Sequence, residues 1–253
     1  PPVGWVGGGG GVDAALAGAE PLMLARAVPG AAVVVAADRH AAGLLAETTL
    51  GATVHVLDDG FQHLALARDL DIVVTGAGAI AADAVLPKGR LREPVDALSR
   101  AGVLVVVGAS DAEAAAEAQR YGVPQGFGAR RQLAAPGAGH GAAPAHGARV
   151  VAMAGIGAPA QFAEALGRAG YDVAAVCAYR DHHWYTATDV ETVARRARET
   201  GATAVATTDK DAVRLEGLPW PAGVALARWP MTLEVPRFDA LTTAIRDALR
   251  RAA

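Results

Sequence analysis

One cysteine, Cys177, stands in the 253 residues, so no disulfide can close within the chain. That fits a reducing compartment. No lysine precedes Lys88. The glycine run Gly7–Gly11 therefore lacks the Lys-Ser/Thr that completes a phosphate-binding loop, and composition reads it as a loop. Aromatic residues make up only 5%, and alanine and glycine dominate the chain. The composition is that of an ordinary α/β protein rather than of a low-complexity tract. There is no basic excess: the net charge is -3, so no positive field argues for nucleic acid. No apolar run approaches the roughly 20 residues needed to span a bilayer. No basic segment precedes an apolar one near the start, so no signal peptide is read. Methionine is missing from position 1, where Pro1 stands. The expectation is that the sequence begins inside a longer protein. Its length suits one large or two modest domains.

Against these absences, Thr53–Val74 is dense in signals. A β-branched run, Thr53–Leu57, reads as a strand ending in Asp58 and Asp59. Gly60 breaks it, Gln62 and His63 follow, and a second apolar strand covers Asp71–Val74. Carboxylates at the carboxyl end of a buried strand sit where open α/β sheets place ligands.

The rest alternates between helix and strand. Helices are predicted over 20–28, 39–49, 95–100, 111–121, 159–169, 189–200 and 237–251, with a short one through DKDAVRL (209–215). Strands are predicted over 31–37, 103–107, 149–154, 171–179, 204–207 and 223–227. Their continuous apolar runs predict parallel sheets covered on both faces. The opening PPVGWVGGGGG reads as neither helix nor strand. Gln132–Gly147, rich in Gly, Pro and Ala, reads as an inter-domain loop whose His140 and His146 are solvated. The expected organisation is a first domain over 1–131, a linker over 132–148 and a smaller α/β domain over 149–228. The C-terminal segment, 229–253, is expected to pack back on the first domain.

Several clusters carry candidate chemistry. Successive side chains of a strand point to opposite faces, so Asp58 and Asp59 cannot simply act as an acid–base pair. One can hold a divalent cation while the other fixes the loop; a pair of turn-forming aspartates before Gly60 explains the pattern as well. Gln62 and His63 add neutral donors and acceptors beside that edge. Arg92 and Glu93 lie in the turn LPKGRLREP, where arginine can grip a phosphate or simply form a surface ion pair. Asp181-His182-His183 can supply an oriented imidazole or be a polar loop. Lys210 stands at a helix N-terminus, either at an anion site or in solvent.

Together, EPLMLAR, ADR, LDDGFQHLALARDLDIVV, LPKGRLREP, AGIGAPAQF, DHHWY and TTDKDAVRL, in register from about Gly18 to Leu215, resemble the lipid A 4′-kinase (tetraacyldisaccharide 4′-kinase) family. The resemblance implies two α/β/α sandwich domains on a thin linker, the first P-loop-like and here incomplete. It implies ATP-dependent phosphorylation, with Mg²⁺, of the lipid disaccharide precursor of lipid A at the cytoplasmic face of the bacterial inner membrane. Asp58 and Asp59 would be the Mg²⁺ edge, with Gln62, His63, Arg92 and Glu93 lining the active-site cleft. His182, with Asp181 beside it, would be the histidine that works with an aspartate to activate the acceptor hydroxyl.

Two departures stand out. The family's Walker A loop and membrane-contacting helix have no counterpart in these residues, so no ATP-binding loop is assigned. The family's Gly-Asp-Glu-Pro reads Gly18-Ala19-Glu20-Pro21, with alanine at the position that resembles the catalytic base. Loss of a positioned base costs on the order of 10²–10⁴ in rate. The chain is therefore expected to be a kinase of impaired activity. The alternatives are a catalytically dead relative that binds the lipid disaccharide or a partner, and a metal-dependent hydrolase using Asp58, Asp59 and His182.

Overall fold

The computed structural model describes residues 4–6 and 18–252; the run Gly7–Gly11 lies outside them. In chain order the elements are β1 (Gly4–Val6), α1 (Ala19–Ala27), β2 (Val33–Val35), α2 (Arg39–Leu50), β3 (Ile72–Gly76) and a 3-10 helix (Val95–Arg100). Then come β4 (Val103–Val107), α3 (Asp111–Arg120), β5 (Gln125–Leu133), β6 (Gly137–His140), β7 (Arg149–Ala154) and α4 (Pro159–Arg168). The chain ends with β8 (Asp172–Ala178), α5 (Ala187–Thr200), β9 (Ala204–Thr208), α6 (Asp209–Leu215), β10 (Ala225–Trp229), β11 (Met231–Glu234) and α7 (Phe238–Ala252). Two compact units form, residues 1–53 with 133–231 and residues 54–132 with 232–253.

The first unit is built on a five-stranded sheet of order β6-β10-β9-β7-β8. β10, β9, β7 and β8 run parallel, and β6 is antiparallel at the edge. Alternation along β7 serves both faces. Val150, Ala152 and Ala154 meet Phe162 and Leu166 of α4 on one side. Val151 and Met153 meet Val190, Val193 and Ala197 of α5 on the other. A parallel sheet sandwiched this way needs apolar residues on both faces, which is why these strands read as unbroken apolar runs. Helix α1 packs on α6 through Ala19, Leu22 and Val213.

In the second unit a four-stranded sheet has the order β11-β5-β4-β3, with β3, β4 and β5 parallel. Leu104 and Val106 pack under Ala114 and Ala118 of α3. Val103, Val105 and Phe127 pack under Leu241 and Ala244 of α7. Ser110 and Glu113 form a reciprocal capping box that starts α3. β3 is an edge of the sheet, with Ile72 and Val74 exposed.

Four expectations are corrected. Thr53–Leu57 is not a strand: it joins none of the described sheets, and Val56 is 93% exposed. β-branched residues favour extended backbone, but a strand exists only where a neighbour accepts its ladder bonds. Conversely, Gly4–Val6 is a strand, paired antiparallel with Val33–Val35. The stretch 132–147 is not all loop, because it holds the end of β5 and the whole of β6. His140 belongs to β6 and stacks on Trp220, though it stays exposed; His146 is an exposed turn residue, as expected, lying against Tyr171. Finally, residues 1–53 group with the second α/β segment rather than with 54–131. Apolar packing of α1 on α6 and the ion pairs Glu20–Lys210 and Arg26–Glu216 draw them there.

Candidate active site

In the first unit, β7 lies between β8 and β9, and the helices that follow β7 and β8 cover opposite faces. The chain thus leaves β7 in one direction and returns on its other side. Such a reversal opens a crevice at the carboxyl ends of the strands, where α/β proteins bind ligands. Three turns meet there: Gly155 after β7, Asp181-His182 after β8, and Thr208 to Asp211 after β9.

These turns are locked by buried polar bonds. Asp211 is fully buried, and its Oδ2 accepts from the Gly155 amide at 3.1 Å and the Thr208 hydroxyl at 2.8 Å. Arg214, three residues on and also buried, donates to Asp211 Oδ1 (3.4 Å) and to the Gly155 carbonyl (3.3 Å). Its other terminal nitrogen reaches His182 Nδ1 at 3.2 Å. The His182 amide donates to the same Gly155 carbonyl, at 3.2 Å. A side chain on Gly155 would meet the Tyr185 hydroxyl at 2.9 Å and Asp211 Oδ1 at 3.3 Å, so the junction needs glycine. Burial first, then the Asp211 carboxylate, pushes the Tyr185 hydroxyl well above the ordinary phenol range, so it stays protonated.

His182 has φ +62°, a conformation that non-glycine residues rarely adopt. Its ring is largely exposed, with Nε2 3.8 Å from Asp181 Oδ1. Lys210 Nζ contacts Glu20 at 2.7 Å and Asp181 at 3.6 Å. It is thus neither an empty anion site nor solvent-exposed. The Lys210 hydrogen bond holds the Glu20 carboxyl below the usual range, against partial burial. Ala19, one residue earlier, is buried in the apolar cluster with Leu22 and Val213.

The second unit carries the other motif residues. Asp58 and Asp59 lie in a turn, not at a strand edge. Asp59 has φ +52° and faces Arg92 at 3.7 Å. Gly60 is required, since a Cβ there would fall 2.7 Å from Leu57 Cβ. Arg68 organises the turns after it: its guanidinium donates to the carbonyls of Phe61, His63 and Leu66 while pairing with Asp71. Arg100 joins the two motifs, with its guanidinium 4.8 Å over the Phe61 ring and 2.8 Å from Glu93 Oε2. Asp58 and Gln62 are exposed. His63 Nδ1 and Glu93 Oε1 are buried and have no hydrogen-bond partner among the described residues. Buried orphan atoms of this kind are costly unless something binds them.

The structure therefore brings Asp181 to His182, and Asp59 to Arg92. Sequence reading does not single out Arg68 or Arg214, and it reads Asp211 only as the partner of the Thr208 cap, a contact the structure contains. Arg214, three residues after Asp211 on the same helix, is the signal that could have extended that reading.

Among the described residues no group of three or more His, Cys, Asp or Glu side chains is arranged to hold a metal. Mg²⁺ does not need one: it takes one or two carboxylates and completes its shell with water and phosphate oxygens. The exposed oxygen donors of Asp58 and Asp59 suit that chemistry.

Fold and clusters define an α/β protein with polar, strained turns at the ends of parallel strands, equipped to bind a polar ligand and orient an imidazole. The family described as LpxK, tetraacyldisaccharide-1-P 4′-kinase, matches residues 6–250. The tetraacyldisaccharide 4′-kinase of Anaeromyxobacter dehalogenans (strain 2CP-C) is 39% identical over 97% of this chain and 67% of its own length. That of Geobacter metallireducens is 42% identical over 81% of this chain and 61% of its own. LpxK from Aquifex aeolicus, solved in complex with ATP, superposes with a TM-score of 0.67 and 29% identity, covering 94% of this chain and 71% of that one. The chain belongs to the tetraacyldisaccharide 4′-kinase family. It spans about three fifths to two thirds of the length of the curated relatives it matches.

Proposed function

We propose that this chain is a portion of an enzyme that transfers the γ-phosphoryl group of ATP to the 4′ hydroxyl of a tetraacyldisaccharide 1-phosphate. The observation that carries the reading is His182, set in a left-handed turn at the switch point of β7, β8 and β9 with its ring exposed. His182 and Asp181 would orient the acceptor and the group that takes its proton. Asp58 and Asp59 would hold Mg²⁺, which when bound neutralises charge developing on the phosphates. Gln62, His63, Arg92 and Glu93 would line the cleft, with Arg92 free to exchange its exposed Asp59 contact for a phosphate. The lipid substrate implies peripheral contact with the inner-membrane surface. No helix among the described residues is long and apolar enough to cross a membrane.

The chain by itself is expected to transfer little phosphate, because no Gly-Lys-Ser/Thr loop occurs in its sequence. The deciding experiment is transfer from labelled ATP to the lipid disaccharide, with and without EDTA, by the full reading frame that contains this sequence. Parallel assays would use its His182→Gln and Asp59→Asn variants. Activity abolished by EDTA and by both substitutions supports the assignment. Transfer indifferent to all three would sink it. A second reading, a silent relative that binds the disaccharide without transfer, is favoured by Ala19, whose methyl is buried among apolar side chains. Saturable lipid binding without turnover in the same full-length protein would select it.

A further inference from the structure

We infer that Arg214 is a positioning residue that fixes the tautomer and orientation of His182, so that the ring presents Nε2–H outward as a hydrogen-bond donor. The inference deepens the reading above, since it assigns His182 its chemical form at the site.

A guanidinium carries only donors, so an Arg214 nitrogen 3.2 Å from His182 Nδ1 requires that Nδ1 accept. The contact is open only to the neutral ring with its proton on Nε2. The imidazolium carries a proton on Nδ1 and cannot make it. Nε2 is therefore occupied by hydrogen and cannot receive a proton. In this arrangement His182 gives a hydrogen bond to a carboxylate, to a phosphate or to the acceptor's oxygen; it is not the group that removes the acceptor's proton.

Arg214 can do this because it is itself immobilised. Asp211 Oδ1 and the Gly155 carbonyl hold its other nitrogen, and Asp211 is anchored in turn by the Gly155 amide and the Thr208 hydroxyl. The His182 amide bonds the Gly155 carbonyl as well, so main chain and ring are referenced to one glycine. A side chain otherwise free to rotate in an exposed turn is thus held at both ends. Asp181 approaches Nε2, the ring nitrogen that Arg214 does not contact, and Lys210 links Asp181 to Glu20.

The test reads the ring directly and does not require turnover. The chain is labelled with ¹⁵N-histidine, and the His182 signals are assigned by their loss in His182→Gln. The native protein should show Nδ1 as the unprotonated, acceptor nitrogen and Nε2 as protonated. Arg214→Gln alone leaves the buried Asp211 unpaired and risks unfolding. The Asp211→Asn/Arg214→Gln pair removes both charges, and circular dichroism checks its fold. In that pair the His182 nitrogens should move toward values averaged between tautomers. A protonated Nδ1 in the native protein, or nitrogen signals unchanged in the folded pair, would overturn the inference.

Kinetics of the full reading frame separate the two claims. Arg214→Lys should lower turnover about 100-fold, the cost of a misplaced group, with little further loss in a His182→Gln background. Transfer insensitive to His182→Gln would refute the catalytic reading of His182, while the nitrogen spectrum still decides the clamp.

Discussion

Asp59 and His182 are non-glycine residues with left-handed backbone, and both fall within motifs that the sequence marks. Such strain persists only where surroundings over-determine it, and the surroundings here are nameable. Around Asp59, Gly60 admits the close approach of Leu57, and Arg68 ties down the carbonyls beyond it. Replacing Arg68 by methionine, with Asp71→Asn so that no carboxylate is stranded, should cost about 1–3 kcal/mol. Urea denaturation measures it, and faster amide exchange at Leu64 and Leu66 localises it; protection equal to the native protein would contradict this role. Gly155→Ala should be destabilising by about 1–3 kcal/mol, as overpacking of a close-packed junction is. The added methyl meets the Tyr185 hydroxyl and Asp211. A Tyr185→Phe background should recover part of that loss. The motif residues were readable as residues. The roles of Arg68 and Arg214, which lie inside two of those motifs, were not, because the atoms they serve are carbonyls and a ring whose positions depend on the fold.

Among elements, helices were the most legible. Asp38, Ser110 and Thr208 accept from the amides of their first turns, and Gly51 and Gly201 close α2 and α5 in left-handed conformation. Caps act over three or four residues, so sequence carries them. At α5, Thr186 and Asp189 form a capping box to which His183 adds a contact at 3.1 Å. Burial raises the Asp189 carboxyl, but bonds from Thr186 and His183 outweigh it and hold the group below the usual range. The stability it contributes is therefore fully present above the usual carboxylate range and is lost as pH falls through its lowered value. Asp189→Asn should flatten that acid limb in melts recorded from neutral to acidic pH, and Thr186→Ala should cost about 1 kcal/mol at neutral pH. An unchanged acid limb in Asp189→Asn would refute the assignment. Short strands were the least legible. β1, β6 and β11 have three or four residues each, and β6 is half glycine. Each exists because a distant strand offers its edge, whereas Thr53–Leu57, with better composition, has no such neighbour among the described residues.

For the whole molecule, each unit closes its own core. All four tryptophans, at positions 5, 184, 220 and 229, belong to the first unit. Their fluorescence therefore follows that unit, while far-ultraviolet circular dichroism follows both. Phe162→Ala, in the first core, should lower stability by about 3–5 kcal/mol and shift the fluorescence transition. Phe127→Ala, in the second core, should shift the dichroism and leave fluorescence in place. Equal shifts of both signals in Phe127→Ala would mean that the units unfold as one. The motif set DDGFQH, LREP, GIGAP, DHH and TTDKD, the capped helices and the alternating α/β plan were determined by the sequence itself. They rest on side-chain identity and on hydrogen bonds within a few residues. Only the tertiary structure decided that 1–53 joins 133–231, that 53–57 is no strand and that Arg214 fixes the ring of His182. Each of those depends on a partner at least 30 residues away along the chain, or on the lack of one, and packing rather than local pattern chooses such partners.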